Sequence, residues 1–316
     1  MADKKVIAVV GATGAQGGGL VNAILDDSNG GFVARVLTRD PSSDKAKALA
    51  ARGAEVVKAD VDDEESLKKA FAGAHGAFCV TFFWAHFSPE KEIEEARKMA
   101  NAAQAAGVKH VIWSTLEDTR NWVPLSDTRM PTLQGKYKVP HYDGKGEANA
   151  LFTERKLPVT FLNTSFYWDN FIHFGMGPKA GPDGVLAITL PMGDKRLPGI
   201  AAEDIGKVAY GIFKKGHGAL PQTIGIMGEA LSGADMAAAM GKAIGNHVHY
   251  NAVEPDVYRS FGFPGADDLG NMFQVKRDFE KEYVGGRDVP LARSLYPGLQ
   301  SFDQWLKRNA SRIPLS

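Results

Sequence analysis

A doubly wound α/β fold built on a parallel sheet is the architecture this sequence predicts. Three observations carry the expectation. Short, nearly apolar runs alternate with stretches of helical period through residues 1–163. A glycine turn separates the first such run from the first helical stretch. No apolar run approaches the roughly 20 residues that a bilayer span requires.

The elements follow in order. Residues 6–10 (VIAVV) read as a strand covered on both faces. The glycine turn comes next, then a helix with Leu20, Val21, Ile24 and Leu25 on one face. A second strand is predicted over 32–37, a helix over Asp44–Ala51, a third strand over 54–59 and a helix over Glu64–Phe71. Residues 77–80 give strand four. Pro89 opens a long helix that Gly107 stops. Strand five spans 108–114, and a helix over 143–155 leads to a sixth strand over 159–162. Between them, 116–140 reads as a long polar loop, of a length usually tied to function. Repeated β-then-α units imply right-handed crossovers with helices on both sheet faces.

Beyond Asn163 the pattern changes. Glycine and proline are dense over 175–199, followed by a strand over 223–227, a helix over Gly233–Ile244 capped by Ser232, a strand over 247–253 and a final helix over Phe302–Asn309. The expected organisation is a nucleotide-binding unit over 1–163 and a smaller α+β lobe over 164–316, with strands free to interleave. That lobe would lie over the carboxyl ends of the sheet, where open α/β folds bind ligands.

Composition narrows the function classes. The 316 residues are 44% hydrophobic and 23% charged, which excludes general disorder. Thirty-seven basic residues balance thirty-seven acidic ones, so direct nucleic-acid binding is not expected. A lone cysteine, Cys79, rules out an internal disulfide and reads as a small buried hydrophobe. With strand character beginning at residue 6, the expected location is cytoplasmic. His247 and His249 share one strand face, but no third ligand is near, so no metal is expected.

Gly11, Gly14 and Gly17 stand between a buried strand and an amphipathic helix. Glycines allow close backbone approach, and free N–H groups at a helix start attract a pyrophosphate. Thr13, Ala15 and Gln16 complete this candidate cradle. After strand two come Arg39 and Asp40; the arginine fork suits a ribose 2′-phosphate, which favours NADP(H) over NAD(H). Asp40 is read as facing away or capping the next helix. Asp60 is read either as a contact for an adenine edge or as a helix cap. Thr81, Phe82 and Phe83 either border the middle of the cofactor or belong to the core.

Seven blocks in order, GATGAQGG, VLTRDP, VTFFW, WSTLED, HYDGKGE, YWDN and FGFPGADDLGNMF, resemble the NmrA-like family across nearly the whole chain, nearest to its HSCARG-type NADPH-sensor branch. The resemblance implies an atypical short-chain dehydrogenase/reductase with a Rossmann-like fold. Some members act as NADP(H)-responsive regulators and others as reductases. It also places Phe166, Tyr167, Trp168, Asp169 and Asn170 beside the nicotinamide. A standard short-chain reductase pairs Tyr with Lys four residues later, after an upstream Ser. Here Ser114 and Lys145 fit, but His141 occupies the tyrosine position and Tyr142 is one step displaced. His141, Tyr142, Lys145 and Ser114 are therefore the candidate catalytic residues, and Lys145 is also a candidate ligand of the cofactor ribose. The expected function is an NADP(H)-binding redox sensor whose occupancy alters its partners, with an NADPH-dependent reductase of a small quinone, carbonyl or imine as the alternative. The expected partners are the dinucleotide and either a regulatory protein or a small-molecule substrate; a homodimer stays open. The segments 175–199 and 116–140 are the candidate mobile parts.

Overall fold

The computed structural model describes residues 4–181 and 184–315. Its first half runs β1 (Lys5–Val9), α1 (Ala15–Asp26), β2 (Phe32–Thr38), α2 (Asp44–Ala51), β3 (Glu55–Lys58), α3 (Glu64–Phe71), β4 (Gly76–Cys79), α4 (Pro89–Ala105), β5 (His110–Thr115), α5 (Pro140–Glu154) and β6 (Val159–Asn163). The second half continues with β7 (Phe166–Tyr167), α6 (Asn170–His173), β8 (Lys179–Ala180), β9 (Leu186–Leu190), β10 (Arg196–Ile200), α7 (Ala202–Lys215), β11 (Thr223–Gly225), β12 (Glu229–Ser232) and α8 (Gly233–Ile244). It closes with β13 (Val248–Ala252), α9 (Pro255–Arg259), α10 (Ala266–Asp278), α11 (Glu280–Gly285), α12 (Val289–Leu295) and α13 (Phe302–Asn309).

Seven strands form one parallel sheet in the order β11-β6-β5-β4-β1-β2-β3. The order reverses between β1 and β4, so a crevice opens there at the carboxyl ends of the strands. β4 and β5 are buried along their whole length, which is why they read as apolar runs without alternation. The doubly wound Rossmann-like architecture is thus the one expected.

The second half does not stay apart from the first. β11 pairs with β6 and extends the main sheet, while α7 packs along α1. Two glycines permit that approach: a Cβ on Gly19 would stand 2.1 Å from the Glu203 carbonyl oxygen, and one on Gly206 would stand 2.2 Å from the Gln16 carbonyl oxygen. α7, unforeseen in the sequence reading, therefore braces the helix that follows the glycine turn. Two small sheets, β12-β10-β7 and β13-β9-β8, make up much of the rest. They place strands inside the glycine- and proline-rich segment 175–199.

The loop 116–140 is tightly tied. The buried Asp143 carboxylate accepts bonds from the Thr119 amide and hydroxyl and from the amides of Lys138 and Val139. Lys138 is itself buried, its ammonium donating to the carbonyls of Asp127 and Met130. Through these bonds α5 starts at Pro140, three residues before the predicted start, with proline at a position where no amide donor is needed. Among the described residues no helix is long and apolar enough to cross a membrane. Cys79 is fully buried, and desolvation pushes its thiol well above the ordinary range.

Candidate functional site

A cavity of about 870 Å³ opens at the carboxyl ends of β1, β2, β3 and β4. Gly11, Thr13, Gly14, Ala15, Gln16 and Gly17 form its floor. Gly11 takes φ +65°, and a Cβ on Gly17 would stand 2.4 Å from the Gly11 carbonyl oxygen, so the turn closes only with glycine at these positions. α1 begins at Ala15 after Gly14, which offers no side-chain cap, and has no acidic residue in its first turn. The amides of Ala15, Gln16 and Gly17 find no acceptor among the described residues. Three free donors on the positive end of a helix dipole make a receptor for a phosphate group.

One end of the cavity is walled by Arg39, Asp40 and Asp60. Arg39 is exposed and has no partner among the described residues. Asp40 is engaged instead by the Ser42 hydroxyl and amide, which hold its carboxyl below the usual range. The cap of α3 is Asp63 and not Asp60: the Asp63 side chain accepts from the amides of Glu65 and Ser66. The Asp60 carboxylate accepts from the Asp62 amide, and the residue lines the cavity.

The middle is bounded by residues after β4. Phe82 is 60% exposed, whereas Phe83 is buried, though both line the cavity. Thr81 is part of a buried relay. Its hydroxyl lies 2.5 Å from Lys145 Nζ and 2.6 Å from Glu92 Oε1, and Lys145 Nζ also reaches that carboxylate at 3.0 Å. Glu92 is fully buried on α4, and its Oε2 has no hydrogen-bond partner among the described residues. The Lys145 ammonium also lies 5.1 Å from the Trp113 ring centre. The candidate lysine is thus held by an acid one helix away.

The far end gathers α5, β7, α6 and α10. Ser114 does not line the cavity: its buried hydroxyl donates to Gln16 Oε1 at 2.7 Å. Gln16 Nε2 in turn donates to the Tyr167 hydroxyl at 2.5 Å, and burial pushes that phenol up to about 12. His141 does face the cavity. Its amide donates to Asp268 Oδ2 at 3.1 Å and its Nδ1 lies 2.5 Å from Asp268 Oδ1. A carboxylate only accepts, which puts the ring proton on Nδ1. The Trp84 ring lies 4.9 Å from the imidazole. Tyr142 also lines the cavity, but its hydroxyl shares a hydrogen bond with Tyr283 at 2.8 Å, and burial raises its pKa well above the phenol range. Asn170 borders the same end, next to Phe174 and Met176. Thus the walls include every candidate residue except Ser114, Trp168 and Asp169; Trp168 is buried against Phe302 and Trp305, and the Asp169 carboxylate accepts from the Ala202 amide.

The family model described as the NmrA-like family matches residues 3–306. The chain belongs to the NmrA-like family. Among its relatives is the NmrA-like family domain-containing oxidoreductase FrzB of Cladobotryum sp, 30% identical, with the alignment covering 85% of this chain and 82% of that protein. NmrA, a negative transcriptional regulator solved in complex with NADP, superposes with a TM-score of 0.77 at 26% identity over 96% of this chain and 95% of its own. NmrA has also been solved with NAD. The triphenylmethane reductase of Citrobacter sp., complexed with NADP(H), shares the fold with a TM-score of 0.74 at 18% identity, covering 97% of this chain and 99% of that chain.

Three site residues of this NmrA-like chain were missed in the sequence: Glu92, Asp268 and Lys276. Glu92 falls in a run of charged residues over 90–98 whose i,i+4 spacing reads as a solvated helix face. Asp268 lies in a block already marked by the family resemblance, yet nothing local tied it to His141, 127 residues away. Lys276 left a trace, as a lysine directly after the apolar or helix-buried run Met272, Phe273, Gln274 and Val275.

Proposed function

We propose that the protein is an NADPH-dependent reductase of a small, flat, conjugated substrate, in the class of quinones, carbonyls and imines. The observation that carries this reading is the shape of the cavity. It continues from the uncapped α1 terminus into an apolar end walled by Phe174, Met176, Leu269 and Met272, which calls for an apolar occupant as well as a dinucleotide. The amides of α1 would hold the pyrophosphate, Arg39 the 2′-phosphate and Lys145 the nicotinamide ribose. When bound, NADPH supplies hydride; the protein orients the substrate, excludes water and supplies a proton. The relatives named as oxidoreductases support the same class.

A regulator reading has its own support. Gln16 occupies the Ser114 hydroxyl and Tyr283 that of Tyr142, so the usual hydroxyl pair of short-chain reductases is spent on internal bonds. The two readings separate in a direct test. Protein saturated with NADPH is mixed with a panel of quinones, aryl aldehydes and cyclic imines while the reduced-nicotinamide absorbance is followed. A reductase consumes it; silence across the panel alongside tight NADPH binding overturns the reading. Leu269→Glu is expected to lower kcat/KM by at least ~10-fold, as a charge in an apolar pocket should, with NADPH affinity within about threefold.

Selectivity at the other end is tested by Arg39→Ala. NADPH binding should weaken by about 10- to 100-fold, the value of one charge-assisted bond at roughly 1.5–3 kcal/mol. NADH binding should stay level, and equal losses by calorimetry would remove Arg39 from the role.

A further inference from the structure

α10 carries an amine into the interior that no other group answers. Lys276 is 1% exposed, and its Nζ sits among four rings, 5.4 Å from the centre of Tyr142, 5.9 Å from Phe166, 5.7 Å from Phe273 and 5.3 Å from Tyr283. Among the described residues it makes no ion pair and no hydrogen bond. It lines the cavity at the apolar end and is not among the sealed-off polar atoms, so the little surface it keeps opens on that space. Burying an amine without a partner is costly, and such groups are retained where a ligand completes them.

The neighbours explain why the protein itself cannot complete it. The carboxylate whose charge acts on Lys276, that of Glu117, is taken by Arg287, whose NH1 lies 2.5 Å from its Oε1 and whose guanidinium stacks 3.7 Å from the Tyr283 ring centre. The phenols of Tyr142 and Tyr283 are pushed up by burial and stay neutral. Burial first, then the repulsion of Arg287, draws the Lys276 amine down to about 7, with Glu117 pulling weakly the other way.

We propose that Lys276 binds the oxygen of a planar conjugated carbonyl substrate, quinones foremost, and delivers the proton that its reduction requires. The chemistry rests on the reductase reading given above. Carbonyl reduction places a hydride on carbon and a proton on oxygen. With hydride from bound NADPH added to the conjugated carbonyl system, the displaced π pair would settle on oxygen, where the Nζ–H bond breaks as an O–H bond forms; a quinone would then rearomatise as the added hydrogen leaves carbon as a proton for the second oxygen. The neutral amine then takes a proton from water. The surrounding rings offer faces to a flat ligand and stabilise the ammonium while it waits.

The test uses the whole protein loaded with NADP⁺ and 4-nitrophenol as an oxyanion probe, its ionisation read from the phenolate absorbance between about pH 5.5 and 8.5, the range over which an amine near 7 changes charge. Wild-type protein is expected to bind the probe with its ionisation shifted to lower pH. Lys276→Met is expected to bind it at least ~10-fold more weakly without the shift, while binding NADPH equally and melting no lower than wild type, since a similar apolar stem replaces an unpartnered amine. In turnover, kcat/KM should fall above about pH 7 in wild type, as the ammonium loses its proton, and that limb should be absent from Lys276→Met. Equal probe binding and ionisation in both proteins overturns the proposal, as does a limb that disappears in His141→Gln and persists in Lys276→Met. Turnover that Lys276→Met retains in full sinks the lysine's role and leaves the reductase. Lys276-dependent probe binding in a protein that reduces nothing sinks the reductase and leaves the oxygen-binding site.

Discussion

Gly17→Ala is expected to weaken NADPH binding by at least ~100-fold, or about 2.7 kcal/mol, without unfolding the protein. The added Cβ would lie 2.4 Å from the Gly11 carbonyl oxygen, 2.7 Å from its carbon and 3.0 Å from the Ala12 Cα. All three are backbone atoms, so no rotamer change relieves the clash and the turn itself must open. Opening it moves the Ala15, Gln16 and Gly17 amides, the donors that a pyrophosphate needs. Gly18→Ala is the matched control. Its nearest neighbour would be the Ala12 carbonyl oxygen at 3.5 Å, an ordinary contact, and alanine inside a helix is favoured over glycine by up to about 1 kcal/mol. Titration calorimetry should therefore find Gly18→Ala binding as wild type does. Gly17→Ala binding within threefold of wild type would refute the cradle.

Lys145→Met is expected to destabilise the fold by roughly 3–5 kcal/mol, the usual result of stranding one member of a buried ion pair. Glu92 is fully buried, its Oε1 is shared by Lys145 and Thr81, and its Oε2 has no hydrogen-bond partner among the described residues. Removing the ammonium leaves a carboxylate with only the Thr81 hydroxyl. Pairing the change with Glu92→Gln should recover most of the loss, because a neutral amide can keep the Thr81 contact. Denaturant midpoints of the two single variants and the double variant give the coupling directly. Additive losses would show that Glu92 does not depend on Lys145. The same argument governs activity measurements. Loss of turnover in a Lys145 variant reports on ribose binding only once its folded fraction is known.

Much of the cavity end proposed for the adenosine was legible from residue order alone. Gly11, Gly14 and Gly17 lie within seven residues, and Arg39 follows its strand directly, so local rules suffice to place them. The opposite half was not legible. His141 could be seen to replace a tyrosine, but its Asp268 partner arrives from α10, and the Glu92 that holds Lys145 arrives from α4. Ser114 is instructive in the other direction. Strand position put it at the end of β5, which in fact runs one residue further to Thr115, and its hydroxyl is spent on Gln16, a contact that depends on how α1 crosses the sheet.

The chain alone determined the parallel sheet, the turn that leaves amides free and the cation after β2, because each depends on neighbours within a few positions. Packing alone decided that α7 would brace α1, that β11 would complete the sheet, and that Lys276 would be enclosed by four rings with no carboxylate to spare. The physical reason is one of range. Backbone geometry and hydrophobic period act over a handful of residues, whereas desolvation and charge pairing depend on whichever distant segments the folded core brings within about 4–6 Å.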